Sequence, residues 1–450
     1  MATGVPKSRR STLGGEPREH VTRTNASIEL TYAGKAPAEE VLKTEAGDFQ
    51  LQAGAPSSRN RLYFADNLRA LAHLRDDPAI AGKVNLIYID PPYATGTVFH
   101  SRSQTHAYED TLGGAAFVEF LRQRLILLRD LLADDGSIYV HLDSKMVCEI
   151  KLVMDEIFGP AQFRNLISRK KCNPKNYTTK SFGNISDYIL FYTKGTKYTW
   201  QRPVEAWTPG RAKEYRYVEP ETGRAFMKVP VHAPGVRNGE TGGEWRGMLP
   251  PPGKHWQYRP STLDEMDARG EIAWSPSGNP RRKVYLDESA GVPVQDIWLD
   301  FKDAHNQMIC ITGYPTEKNS DLIKRIILAS SNEGDLVLDC FAGSGTTLVC
   351  AEELGRRWIG VDSSPEAVRV MSSRFRGGST RMGDFTSHRN GIQEVESPTS
   401  SPLELFGPEG DDSLSEEPLA APQITDYSLW VQRELVSELP EAVGESVVSK

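Results

Sequence analysis

Asp339-Cys340-Phe341-Ala342-Gly343-Ser344-Gly345-Thr346 is the stretch on which the fold turns. The apolar run Leu336-Val-Leu338 leads into it and reads as a buried parallel strand. Gly343 and Gly345 permit positive φ and close approach of backbone to a ligand. Thr346 to Leu354 carries helical periodicity, and Gly355 ends it. A second short strand, Trp358-Ile-Gly-Val361, then ends at Asp362, 23 residues after Asp339. The free N–H groups of a helix start, a glycine turn and an acid at the end of the next strand suit a nucleoside, whose ribose hydroxyls donate to the acid. Leu348 stands where the dinucleotide fingerprint has its third glycine, so the pattern disfavours a pyrophosphate and leaves room for a mononucleoside.

An N-terminal block repeats this style. Val84-Asn-Leu-Ile-Tyr-Ile89 is an apolar, β-branched run ending at Asp90. Apolar residues at 117, 120, 121, 125, 128, 131 and 132 share one face of a helix, which Asp134-Asp-Gly136 stops. Ser137 to Leu142 is the next strand, Lys145 to Phe158 the next helix, and Ser320 to Ser330 a helix of the C-terminal block. Strands alternating with helices give a doubly wound, mainly parallel α/β sheet. The spacing divides the chain into 1–55, mostly disordered; 56–160, the first α/β part; 161–305, an irregular insert; 306–390, the second α/β part; and 391–450, an acidic, mostly disordered tail in which Leu429 to Leu439 has helical spacing.

Composition narrows the function. The formal net charge is −7, but residues 391–450 alone hold 13 acidic and 2 basic side chains. The other 390 residues therefore carry a net +4. Residues 161–290 have 22 basic against 13 acidic side chains and hold 17 of the chain's 39 aromatics, five of them tryptophans. A basic, aromatic middle fits a polyanionic partner. The five cysteines form no CxxC pair and have no His partner at metal spacing, so a disulfide framework or a structural metal is not expected, and a reducing cytoplasm fits. No apolar run approaches the ~18 residues of a membrane span, and no secretory signal is read at the N-terminus.

The chemistry is read from Asp90-Pro91-Pro92-Tyr93, at the carboxyl end of a buried strand, where α/β sheets bind ligands. Two prolines fix two φ angles and donate no N–H, so the carbonyls there are held rigid and accept. One carboxylate, one fixed carbonyl and one ring suit an exocyclic amine on a planar base. The amine's lone pair is delocalised into the base. Asp90 and the Pro91 carbonyl bind its two hydrogens and draw the nitrogen toward tetrahedral geometry. The lone pair is then available for in-line attack on a methyl sulfonium, while Tyr93 stacks on the extruded base.

These residues resemble the β class of amino-methyltransferases acting on DNA, in which the D-P-P-Y element precedes the F-x-G-x-G element. Asp90-Pro-Pro-Tyr-Ala-Thr-Gly96, with Phe99, Tyr108 and Asp110, is similar to the modification subunits of type III restriction systems and their stand-alone relatives. The resemblance covers roughly 60–385. It implies a circularly permuted, Rossmann-like sheet with an inserted target-recognition domain, S-adenosylmethionine as cofactor, and N6 of a flipped adenine in double-stranded DNA as acceptor. It implies cofactor roles for Asp66, Lys318, Asp339, Phe341, Ala342, Gly343, Gly345, Thr346 and Asp362. The segment Tyr314 to Ser320 would close over the methionine end of the cofactor. Asn319 and Cys340 stand where the family usually has proline. The basic run Arg169, Lys170, Lys171 and Lys175 is expected to contact DNA phosphates. Transfer to cytosine N4, a role as modification subunit beside a restriction subunit, action on RNA or protein, and a homodimer remain alternatives at this stage.

Overall fold

The structure is a computed structural model that describes residues 28–92, 97–100, 106–110, 114–173, 180–208, 210–301, 310–311, 317–377, 380–381 and 423–440. Its centre is a ten-stranded sheet. In chain order the strands are β1 (Phe49–Ala53), β2 (Asn60–Phe64), β3 (Val84–Ile89), β4 (Leu132–Leu142), β5 (Phe163–Lys170), β6 (Ser186–Thr193), β7 (Ile297–Trp298), β8 (Leu336–Asp339), β9 (Arg357–Asp362) and β10 (Tyr427–Gln432). Across the sheet they run β1-β10-β2-β9-β8-β3-β4-β6-β5-β7. The six from β10 to β4 are mutually parallel, with β1 and β6 antiparallel to their neighbours.

Two helix layers cover the sheet, one from each half of the chain. The first layer holds α1 (Asn67–Asp76), α2 (Gly114–Leu131) and α3 (Val147–Phe158). The second holds α4 (Ser320–Ser330), α5 (Thr346–Glu353) and α6 (Pro365–Gly377). Being covered on both faces explains the unbroken apolar strands. In β3, Val84, Ile87 and Ile89 pack under the first layer, while Leu86 and Tyr88 pack under the second. Rossmann-like winding is therefore present, in permuted chain order. The unit β8-α5-β9 comes late in sequence, yet it sits between β2 and β3 in the sheet.

Three expectations change. Within residues 1–55, Phe49–Ala53 is a strand of the sheet. Three strands of the main sheet (β5, β6 and β7) come from the region 161–305. The insert proper hangs from a two-strand neck, in which Glu205 pairs with Val292 and Val204 with Pro293. It contains a four-stranded sheet and a small core of its own around Val231, Trp245, Trp256, Leu263, Met266 and Ile272. The expected helix over Leu429 to Leu439 is instead β10 followed by a short 3-10 turn, Arg433–Glu438. Strand geometry wins because β10 has partners on both sides, and it buries even Ser428 and Gln432.

Candidate active site

The loops singled out from sequence meet at one edge. β3 and β8 are hydrogen-bonded neighbours in parallel register, Leu338 opposite Ile87. Asp90 and the Asp339–Gly345 turn therefore leave the sheet side by side. Pro91 is buried and Pro92 half-buried. Tyr93, Phe99, Tyr108, Asp110 and Lys175 are expectations whose side chains fall outside the described residues. From the N-terminal approach to α4, Lys318 Nζ reaches Asp90 Oδ2 at 2.8 Å. The sequence reading placed Lys318 with the cofactor; the structure puts it on the carboxylate of the Asp-Pro-Pro loop.

The glycine turn is built from both of its flanking acids. Asp339 Oδ1 accepts from the Phe341 N–H at 2.9 Å. Asp362 Oδ2 accepts from Gly343 N–H at 2.8 Å, and its Oδ1 from Ser364 N–H at 2.9 Å. Ala342 N–H donates to the Val361 carbonyl. Gly343 has φ +51° and Gly345 φ +75°. A Cβ on Gly345 would stand 2.8 Å from Met371 Cγ, so position 345 is closed to side chains by both dihedral and space. Burial pushes the Asp339 carboxyl up to about 7, with Asp90 and Asp362 adding repulsion against two opposing hydrogen bonds. Burial likewise raises Asp362 against its backbone donors. Thr346 is turned inward: its hydroxyl lies 3.0 Å from Ser344 Oγ and accepts from Arg374 Nη1 at 3.0 Å. The same Arg374 nitrogen donates to the Ser344 carbonyl and lies 3.4 Å from Glu317 Oε1, fastening the turn to the segment that carries Lys318.

Asp66 caps α1, accepting from Arg69 N–H at 3.1 Å. Next to it, Asn67 donates to the Cys340 carbonyl at 2.9 Å, tying α1 to the turn. Arg124 of α2 completes this corner. It hydrogen-bonds Asn67 Oδ1, approaches Asp66 Oδ2 at 3.4 Å and lies 3.6 Å from the centre of the Phe120 ring. Phe120 in turn packs near Phe341, with ring centroids 6.1 Å apart. Burial lowers the Arg124 guanidinium to about 10. Sequence reasoning passed over Arg124, although its spacing from Phe120 and Leu128 puts it on the apolar face of α2. A charge on such a face is the signal that would have found it.

The DNA-contact expectation needs one correction. Arg169 is fully buried, ion-paired to Asp187 at 3.1 Å and bonded to the Phe301 carbonyl. Its strand lies inside the sheet, so its charge is consumed internally; Lys170 and Lys171 are half-buried. Four basic residues of the insert, Lys213, Arg216, Lys228 and Arg281, line an open groove of about 730 Å³ together with Glu214, Tyr217 and Trp274. Lys283, by contrast, is paired with Glu219. Of the tryptophans, Trp245 and Trp256 are core, while Trp200 and Trp274 are exposed.

The fold is an α/β sheet that carries two loops side by side at its carboxyl edge, the glycine turn between β8 and α5 and the Asp-Pro-Pro loop after β3. Residues 84–373 match the model of the DNA methylase family, and the chain belongs to that family. It is an enzyme of DNA methylation. It is 49% identical over 373 residues to the type II methyltransferase M.EcaI of Enterobacter cloacae, covering 80% of each chain. It is 29% identical over 337 residues to the StyLTI Mod subunit, a type III restriction-modification protein of Salmonella typhimurium, covering 65% of this chain and 49% of that one. Among solved structures, the M1.HpyAVI-SAM complex aligns over 70% of this chain and 98% of that one, at 16% identity and a TM-score of 0.39. Among the described residues no helix is long and apolar enough to cross a membrane, and no His, Cys, Asp and Glu cluster could hold a metal.

Proposed function

We propose that the protein transfers a methyl group from S-adenosylmethionine to N6 of an adenine flipped out of double-stranded DNA at a specific sequence. The observation that carries the reading is the adjacency of β3 and β8, which sets Asp90 beside the glycine turn. The cradle fits the cofactor: a turn whose Gly345 admits no side chain, the N-terminus of α5 with no side-chain cap, and carboxylates at Asp66 and Asp362 for adenosine hydroxyls and amine. Phe341, Ala342, Gly343, Gly345 and Asp339 would line it. Thr346 would act by holding the turn, since its hydroxyl faces Arg374. When bound, S-adenosylmethionine supplies an electrophilic methyl whose carbon–sulfur bond breaks with its electron pair left on sulfur.

Asp90 and the Pro91 carbonyl accept the two hydrogens of the adenine amine and turn its lone pair toward that methyl. Once the new N–C bond forms, the nitrogen carries a surplus proton, and Asp90 takes it. Lys318, on the other side of Asp90, fixes the direction of the carboxylate. Tyr93 stacks on the flipped base. The groove of Lys213, Arg216, Lys228 and Arg281, with Tyr217 and Trp274, is the surface for the duplex, its cations on phosphates and its rings toward bases. Aspartate rather than serine or asparagine at 90 supports adenine N6 over cytosine N4. Resemblance to a Mod subunit supports a restriction context for the same activity. The test is Asp90→Ala, assayed by nucleoside analysis of DNA methylated in vitro. N6-methyladenine with wild-type protein, none with the variant, and cofactor affinity within about threefold of wild type are expected. Near wild-type turnover by Asp90→Ala would refute the assignment, and N4-methylcytosine as product would move it to the alternative base.

A further inference from the structure

Behind Asp90 a row of polar side chains crosses four neighbouring strands on the face covered by α4 to α6. The Tyr88 hydroxyl on β3 lies 2.8 Å from His141 Nδ1 on β4. His141 Nε2 lies 3.2 Å from Asp187 Oδ2 on β6. The same oxygen is 3.1 Å from Arg169 Nη1 on β5. Arg169 Nε then donates to the Phe301 carbonyl at 2.7 Å, just past β7. Tyr88, His141, Asp187 and Arg169 are each exposed by 2% or less. Arg169 Nη1 donates to the Asp187 carboxylate, and the His141 ring stands between that carboxylate and the Tyr88 hydroxyl.

Such a row is a poor way to stabilise a sheet, because a buried ion pair is commonly matched or bettered by packed apolar side chains. Asp187 Oδ1, moreover, is buried without a hydrogen-bond partner among the described residues. A buried acceptor without a partner calls for a reason. The reason lies at the row's open end. Asp90 follows directly on the end of β3, two residues after Tyr88, and its charge acts on both Tyr88 and His141. Lys318, seated on Asp90, acts electrostatically on both His141 and Asp187. Burial pulls the Asp187 carboxyl upward, yet His141, Arg169 and Lys318 outweigh it and hold it below the usual carboxylate range.

We propose that Asp187 is a positioning residue for methyl transfer: through His141 and Tyr88 it fixes the end of β3 that bears Asp90, and through Arg169 it ties that end to the strand returning from the insert. The proposal rests on Asp90 being the amine's acceptor. A carboxylate held this way loses little freedom when the amine arrives, and a misplacement of about 1 Å at a reacting group costs up to roughly 100-fold in rate. The row also gives the insert a direct mechanical line to the reacting edge.

The test is single-turnover transfer of tritiated methyl from S-adenosylmethionine to unmethylated plasmid DNA, with both ligands saturating, for Tyr88→Phe, Asp187→Asn, Arg169→Lys and Asp90→Ala. Tyr88→Phe and Asp187→Asn are expected to slow the transfer step by roughly tenfold or more, with KM for cofactor and DNA unchanged. Arg169→Lys keeps the charge but cannot hold both Asp187 and the Phe301 carbonyl, so it is expected to slow the step less than Asp187→Asn, and Asp90→Ala to abolish it. A structural role alone would lower thermal stability and leave the single-turnover rate of the folded fraction intact, and that result would overturn the proposal. So would a loss confined to KM. If Asp187→Asn does not fold, Tyr88→Phe decides, because it removes one oxygen and keeps the packed ring. An active Asp90→Ala would overturn the underlying reading as well, whereas an inactive one beside wild-type rates in the other variants would overturn the positioning role only.

Discussion

Replacing Asp339 by Asn isolates the electrostatic cost of the cofactor edge. Asp339 is 3% exposed, and burial lifts its carboxyl from 3.8 to about 7. Between those two values the unfolded chain has released this proton and the folded chain keeps it. The folded state then binds more protons than the unfolded one, so stability falls as pH rises through this window. At about 1.4 kcal/mol per unit, the full loss above pH 7 is about 4 kcal/mol. About 2.5 kcal/mol of it develops between roughly pH 5 and pH 8. Asn keeps an oxygen for the Phe341 N–H and has nothing to titrate. Urea unfolding of both proteins at about pH 5 and about pH 8, without cofactor, should therefore show the variant gaining about 2.5 kcal/mol on the wild type across the interval. A stability difference that stays flat with pH would refute the claim that this carboxyl is held protonated by its surroundings.

Gly345→Ala should cost about 1–2 kcal/mol of stability in the thermal midpoint, because an L side chain is strained at a left-handed φ, and should weaken S-adenosylmethionine binding. Measured against Met371→Ala alone, which removes the contact with the new Cβ, Gly345→Ala should still cost the dihedral strain, and no cost in that background would argue against the left-handed turn. For the groove, Arg216→Ala, Lys228→Ala and Arg281→Ala combined should reduce the slope of log affinity against log salt by roughly 2–3 on plasmid DNA, with cofactor affinity unchanged. An unaltered slope would place the duplex elsewhere.

The parts of the molecule that were legible beforehand are those whose signal is local. Val84–Ile89, Leu336–Asp339 and Arg357–Asp362 are apolar runs bounded by acids and glycines, and strands stand where they were expected. The edge bearing Asp90, Asp339 and Asp362 could be read because α/β sheets gather ligand groups at carboxyl ends. What escaped depends on partners distant in sequence. Leu429 to Leu439 has helical spacing, and nothing nearby reveals that Ser428 will meet the Asn60 carbonyl or that Gln432 will accept from the Asp66 N–H. Arg169 sat in a basic run and was assigned to the surface, whereas Asp187, 18 residues away, draws it inside. Lys318 was assigned by its segment, and only the folded chain brings it to Asp90.

The placement of β10 bears on how the chain is made. Residues 427–432 are clasped between two strands that are synthesised about 360–380 residues earlier, so one seam of the sheet stays open until that segment has been made. Until that segment leaves the ribosome, β1 has no neighbour and β2 lacks one of its two. Catalytic competence should therefore wait for that segment, and nested deletions that trim back past Tyr427 should yield aggregating protein rather than a weakened enzyme.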